Sequence, residues 1–140
     1  MTEADGSSLD RDGADSGDGP LRFVAVSLDC GDPDALAQFY VSLLGGELLW
    51  SSPASAAVRT PGVTLVAQRV DDYRPPRWPG SSLVHLDLSA GRSGDANSAA
   101  VERALGLGAS MAADQPDGRW TVLLDPAGHP FCITPFTPES

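Results

Sequence analysis

The chain has 140 residues, 41% of them hydrophobic, and a formal charge of -10 at neutral pH, enough apolar material for one globular domain of ordinary core size. The acidic balance gives no electrostatic footprint for nucleic acid or for an anionic membrane surface. No apolar run comes near the roughly eighteen residues a membrane span needs, and the amino terminus is acidic where a secretory leader would be basic then apolar, so a soluble cytoplasmic protein is expected.

Residues 1–19 hold six acids and one Arg, with no aromatic or β-branched residue after Thr2. Such a segment cannot bury enough apolar surface to offset its ordering entropy, which predicts a disordered tail carrying half the net charge. The folded domain is placed at 20–137. Residues 21–29 alternate, with Val24, Val26 and Leu28 on one face and Phe23, Ala25, Ser27 and Asp29 on the other, as in a half-buried strand. A helix follows, with Asp32 as N-cap, Pro33 at its first position, an apolar stripe of Leu36, Phe39, Tyr40 and Leu43, and Gly45-Gly46 as the stop. Three short extended segments come next, at 47–51, 56–60 and 63–70, separated by Ser/Pro and Pro-Gly turns.

After a Pro-rich linker at 71–80 the same order begins again. At 82–89, His85, Asp87 and Ser89 alternate with Val84, Leu86 and Leu88. Asp95 is read as the cap of a helix whose Ala99, Val101, Ala104 and Leu105 face inward and which closes at 105–108. Segments at 110–112, 120–124 and 131–134 complete the unit. The last two are joined by Asp125-Pro-Ala-Gly128, whose residue types suit a type I turn. Two tandem βαβββ modules, at about 21–70 and 82–135, make an α+β protein.

Cys30 and Cys132 are too few and too far apart for a disulfide framework and read as free thiols. The chain contains no GxGxxG after a strand, no P-loop, no GxSxG and no CxxC, so nucleotide, hydrolase and thioredoxin chemistries have no residues to stand on.

Four stretches in order resemble one family. They are Leu28-Asp-Cys-Gly-Asp-Pro-Asp-Ala-Leu-Ala-Gln-Phe-Tyr40 with Leu43-Leu-Gly45, Gln68-Arg-Val70 with Pro76-Arg-Trp-Pro79, His85-Leu-Asp-Leu88, and Asp125-Pro-Ala-Gly-His-Pro-Phe-Cys132. Together they resemble the glyoxalase-like branch of the vicinal oxygen chelate superfamily, related to glyoxalase I and the bleomycin-resistance proteins. The resemblance implies two βαβββ modules with curled mixed sheets around a cleft, and in many members a homodimer. In the members that use a divalent metal, it also implies one ligand from the first and one from the last strand of each module.

Those four positions are Ala25, Gln68, His85 and Cys132 here. Ala25 offers no donor, Gln68 is a weak neutral one, and none of the four is a carboxylate, so an octahedral magnesium, manganese or nickel site is not expected. What remains, Gln68, His85 and Cys132, is at most a zinc-type set with an open position. The expectation is a protein without metal or other cofactor, and without the Lewis acid that glyoxalase chemistry requires.

His85 and Asp87 share a face and could form an acid–base pair; the plainer reading is a structural hydrogen bond. Cys132 reads plainly as a small buried hydrophobe. Trp50, Tyr73, Trp78 and Trp120 fall at strand ends or in the linker, which in this fold would rim the cleft, with Arg74 and Arg77 nearby to suit a planar or anionic small molecule. A ligand site of Gln68, His85, Asp87, Trp50, Tyr73, Trp78, Trp120 and Cys132 is therefore expected. The leading function is binding of a small organic molecule. The alternatives are a lyase or isomerase acting through His85, and a structural dimer with a vestigial cleft.

Overall fold

The computed structural model describes residues 19–80 and 84–136. The predicted tail, except Gly19, and the first two residues of the strand expected at 82–89 lie outside them. The first module contains β1 (Val26–Cys30), α1 (Pro33–Leu44), β2 (Glu47–Ser51), β3 (Ser55–Arg59) and β4 (Thr64–Arg69). The second contains β5 (Leu86–Leu88), α2 (Gly94–Gly106), β6 (Ser110–Met111), β7 (Thr121–Leu124) and β8 (Pro130–Ile133). Each module makes one four-stranded mixed sheet, in the orders β1-β4-β3-β2 and β5-β8-β7-β6, with β1 and β5 parallel to their neighbours.

The first helix begins as its sequence dictates: Asp32 Oδ1 accepts from the Ala35 amide at 3.1 Å, Pro33 follows, and Gly45 takes the left-handed conformation at φ 70° beyond its end. The second begins two residues earlier than expected. Its cap is Ser93, whose hydroxyl accepts from Ala96, while Asp95 lies in the first turn. Buried Asn97 fixes this start, accepting from the Ala90 amide and donating to the carbonyls of Gly91 and Ser93. Ala99 faces solvent, and Ala100 packs on the core in its place.

Two strands are shorter than their alternation suggested. β4 pairs with Val26 to Cys30 only, leaving Leu21, Phe23 and Val24 exposed outside the strand, and β8 pairs with Leu86 to Leu88 only. Strand character in a sequence extends as far as the pattern; the strand itself ends where its partner does.

The helix-facing sides of both sheets close on one core. Cys30, Leu36, Phe39, Tyr40, Leu65 and Ala67 of the first module pack with Ala104, Leu123, Phe131 and Ile133 of the second. Tyr40 meets Phe39 edge-on at 4.9 Å, and both meet Phe131, at 6.4 and 6.0 Å. The predicted turn forms as written: the Gly128 amide donates to the Asp125 carbonyl at 2.8 Å, and Asp125 Oδ1 accepts from the Ala127 and His129 amides. Its other oxygen accepts from Tyr40 at 2.7 Å, so a buried carboxylate joins α1 to the turn before the last strand. Arg103, in the last turn of α2, donates to the carbonyls of Ser42 and Leu43 and completes the C-terminal end of α1.

Candidate functional site

With one side of each sheet committed to this core, the opposite sides carry the candidate chemistry. In the second sheet, strand parity puts Phe131 and Ile133 inward and turns Cys132 and Thr134 to the open face. Cys132 lies on the central strand between Asp87 on β5 and Val122 on β7. His85, two residues before Asp87, joins them: its Nδ1 is 3.1 Å from Asp87 Oδ1 and 3.8 Å from Cys132 Sγ.

Aromatic side chains stand over this floor. Trp78 donates its indole N–H to the Asp114 carbonyl at 3.0 Å, which pins the linker, and meets the His85 ring edge-on at 6.0 Å. Trp120 packs against the cluster of Ala112, Val122 and Cys132, with the Arg119 guanidinium 5.4 Å from its ring centre. Gln115 bonds both the amide and the carbonyl of Val122, holding the loop that presents Pro116. Trp78, Trp120, Pro116 and Phe136 wall a cup of about 300 Å³ whose polar groups are His85, Asp87, Cys132 and Thr134.

A carboxylate oxygen accepts, so the contact between Asp87 Oδ1 and His85 Nδ1 is a hydrogen bond donated by the ring, which leaves Nε2 as its outer nitrogen. Burial and the neighbouring Asp87 push the Cys132 thiol up to about 11. Relative to its ordinary value of 9.0, the thiol stays more fully protonated near neutrality. Iodoacetamide should therefore label native Cys132 at least tenfold more slowly than the unfolded chain at pH 8, and Asp87→Asn should speed that labelling several-fold. Native and denatured rates that agree, followed by mass spectrometry, would show an accessible thiolate.

The expected ligand set is thus divided. His85, Asp87, Trp78, Trp120 and Cys132 come together. Gln68 and Trp50 are on the open face of the first sheet: Gln68 sits opposite Asp29 and Ser55, and Trp50 donates to the Ser55 hydroxyl at 2.9 Å. Tyr73 lines a separate cavity beside β1, where it donates to the Ala127 carbonyl. Phe136, Thr134 and Pro116 were not among the expected residues. Thr134 and Phe136 continue the alternation of Cys132, so the period-two pattern, followed past the strand end, points to them.

The four strand positions expected to supply metal ligands do not offer a complete donor set. Ala25 has no donor, and Gln68 shares no described cavity with His85 or Cys132. The donor atoms of His85, Asp87 and Cys132 do lie within 4.8 Å of one another, and Asp87 supplies a carboxylate outside the four strand positions. In that trio Asp87 engages Nδ1 of His85, which leaves Nε2 as the other ring nitrogen.

Residues 25–134 match the family model described as a glyoxalase-like domain. No curated protein sequence matches the chain. Among solved structures it is similar to a mutant of the genomically encoded fosfomycin resistance protein FosX of Listeria monocytogenes, complexed with Mn(II) and 1S,2S-dihydroxypropylphosphonic acid. The TM-score is 0.66 at 17% identity, covering 85% of this chain and 93% of that one. A glyoxalase-related enzyme from Fulvimarina pelagi gives a TM-score of 0.61 at 22% identity, over 81% of this chain and 87% of that one. A glyoxalase/bleomycin resistance protein/dioxygenase family enzyme from Burkholderia phytofirmans gives 0.61 at 18%, over 78% and 94%. At these identities the likeness is one of fold.

Proposed function

Because the chain belongs to the glyoxalase-like domain family of the vicinal oxygen chelate superfamily, we propose that it binds a small, flat organic molecule in the cup on its second sheet and holds no resident metal there. The observation that supports this most is the pairing of Trp78, Trp120 and Phe136 as walls with His85, Asp87 and Thr134 as a few directional polar groups, in a volume suited to a small ligand. A bound ring would stack on the indoles while a donor group meets the free lone pair of His85 Nε2.

The first experiment is a fluorescence and thermal-shift screen of small aromatic compounds on the full chain. Any hit should lose roughly tenfold in affinity on Trp120→Ala, and more than the wild type loses on Gln68→Ala. Zinc added alone should leave the melting temperature unchanged. A metal-dependent rise removed by both His85→Ala and Cys132→Ser would overturn the metal-free part of the reading, and hits indifferent to Trp120 would overturn the rest.

A lyase or isomerase acting through His85 is the second reading, favoured by the Asp87 contact that leaves Nε2 as a base. The two part cleanly: His85→Ala abolishes turnover with binding retained in the enzyme, and weakens binding alone in the carrier.

A further inference from the structure

A second cavity, of about 460 Å³, lies along β1 and shares no lining residue with the cup. We propose that it is a separate site for a small organic monocarboxylate with an apolar body.

Its position follows from strand order. β1 is the edge of the first sheet and β5 the edge of the second, and the cavity runs along Val26, Ser27, Leu28 and Asp29 on one side and Val84 and Leu86 on the other. The Cys30 carbonyl accepts from Val70 on the β4 side, whereas the Asp29 carbonyl accepts from His129 on the opposite side. Backbone groups alternate along a strand, so the Ser27 amide also points away from β4, where no described strand pairs with it. A main-chain donor thus lies on the side of β1 away from β4, at Ser27, a residue that lines the cavity and also carries a hydroxyl.

Charge gives the ligand its class. Arg74 lines the cavity and has no hydrogen-bond or ion-pair partner among the described residues. A guanidinium that lines the same cavity as main-chain and hydroxyl donors of Ser27 suits a carboxylate. The rest of the lining is largely apolar, with Val26, Leu28, Leu86 and Pro130 contributing, which suits a ligand whose remainder is hydrocarbon. Asp29, exposed at the same edge, repels an anion in proportion to its charge, so a monoanion is favoured over a dianion such as a phosphate ester.

The test uses the full chain and hexanoate, with hexanol and hexyl phosphate as controls, read by shifts of backbone amide resonances. Hexanoate should saturate shifts at Ser27, Asp29 and Leu86 and bind roughly five- to tenfold more weakly to Arg74→Gln. Those shifts should persist in Trp120→Ala, which keeps the outcome independent of the aromatic cup. Hexanol and hexyl phosphate should bind more weakly than hexanoate. Shifts confined to the residues around Trp78 and Trp120, an Arg74→Gln variant that binds as the wild type does, or no saturation at tens of millimolar would overturn the proposal.

Discussion

Phe131→Ala is expected to lower folding stability by about 4 kcal/mol, measured by urea denaturation followed by circular dichroism. The ring is fully buried on the central strand of the second sheet, and it touches both aromatic residues of α1. Its removal leaves a cavity where the two modules meet, bounded by a strand on one side and a helix on the other, neither of which can collapse without losing register. A loss of this size is a large share of the total stability of a small domain. Phe131→Leu fills most of the same space and should cost no more than about 1.5 kcal/mol. A cost below that for the alanine variant would show that the modules do not depend on this contact. The floor of the cup should loosen with it, since Cys132 is the next residue on the same strand and faces the other way.

Asp125→Ala should cost about 3 kcal/mol, because three hydrogen bonds end on one buried carboxyl and its loss strands the Tyr40 hydroxyl in the core. Asp125→Asn keeps an acceptor for the two turn amides but offers Tyr40 no acceptor oxygen in the same place, so a cost of about 1–2 kcal/mol is expected. Burial raises the carboxyl above its ordinary 3.8, partly offset by the hydrogen bonds from Tyr40 and the His129 amide. A carboxyl that holds its proton more tightly folded than unfolded contributes its stabilisation fully below 3.8 and loses it as pH rises through the folded value. The deficit of Asp125→Asn against the wild type should therefore be larger near about pH 3.5 than near pH 7. The opposite slope would mean that the folded protein prefers the ionised group.

Much of this architecture could be read in advance, and the failures have physical causes. The Asp32-Pro33 start, the Gly45 stop and the 125–128 turn are local chemistry, and they form as the residue types demand. The start of α2 was misplaced because Ser93 and Asp95 are both good caps; the choice falls to Asn97, whose three bonds to the preceding loop no pattern displays. Parity alone placed His85 with Asp87. What parity cannot tell is which faces of two similar sheets turn toward each other, so Gln68 and Trp50 were assigned to a common cleft with residues of the other module. The grouping of Trp78 with Trp120 likewise depends on a bond from an indole to the Asp114 carbonyl, 36 positions away.

The common core of Phe39, Tyr40 and Phe131 also bears on how far the two modules are alike. Two units built on the same plan each present an apolar side that the other covers. Neither half is an exchangeable cassette: a second copy of the first unit in place of the second would set Thr60, the residue that follows β3, where Asp125 follows β7, and the Tyr40 hydroxyl would lose its carboxylate acceptor. The internal symmetry survives in the order of strands and helices, while the seam between them has become complementary.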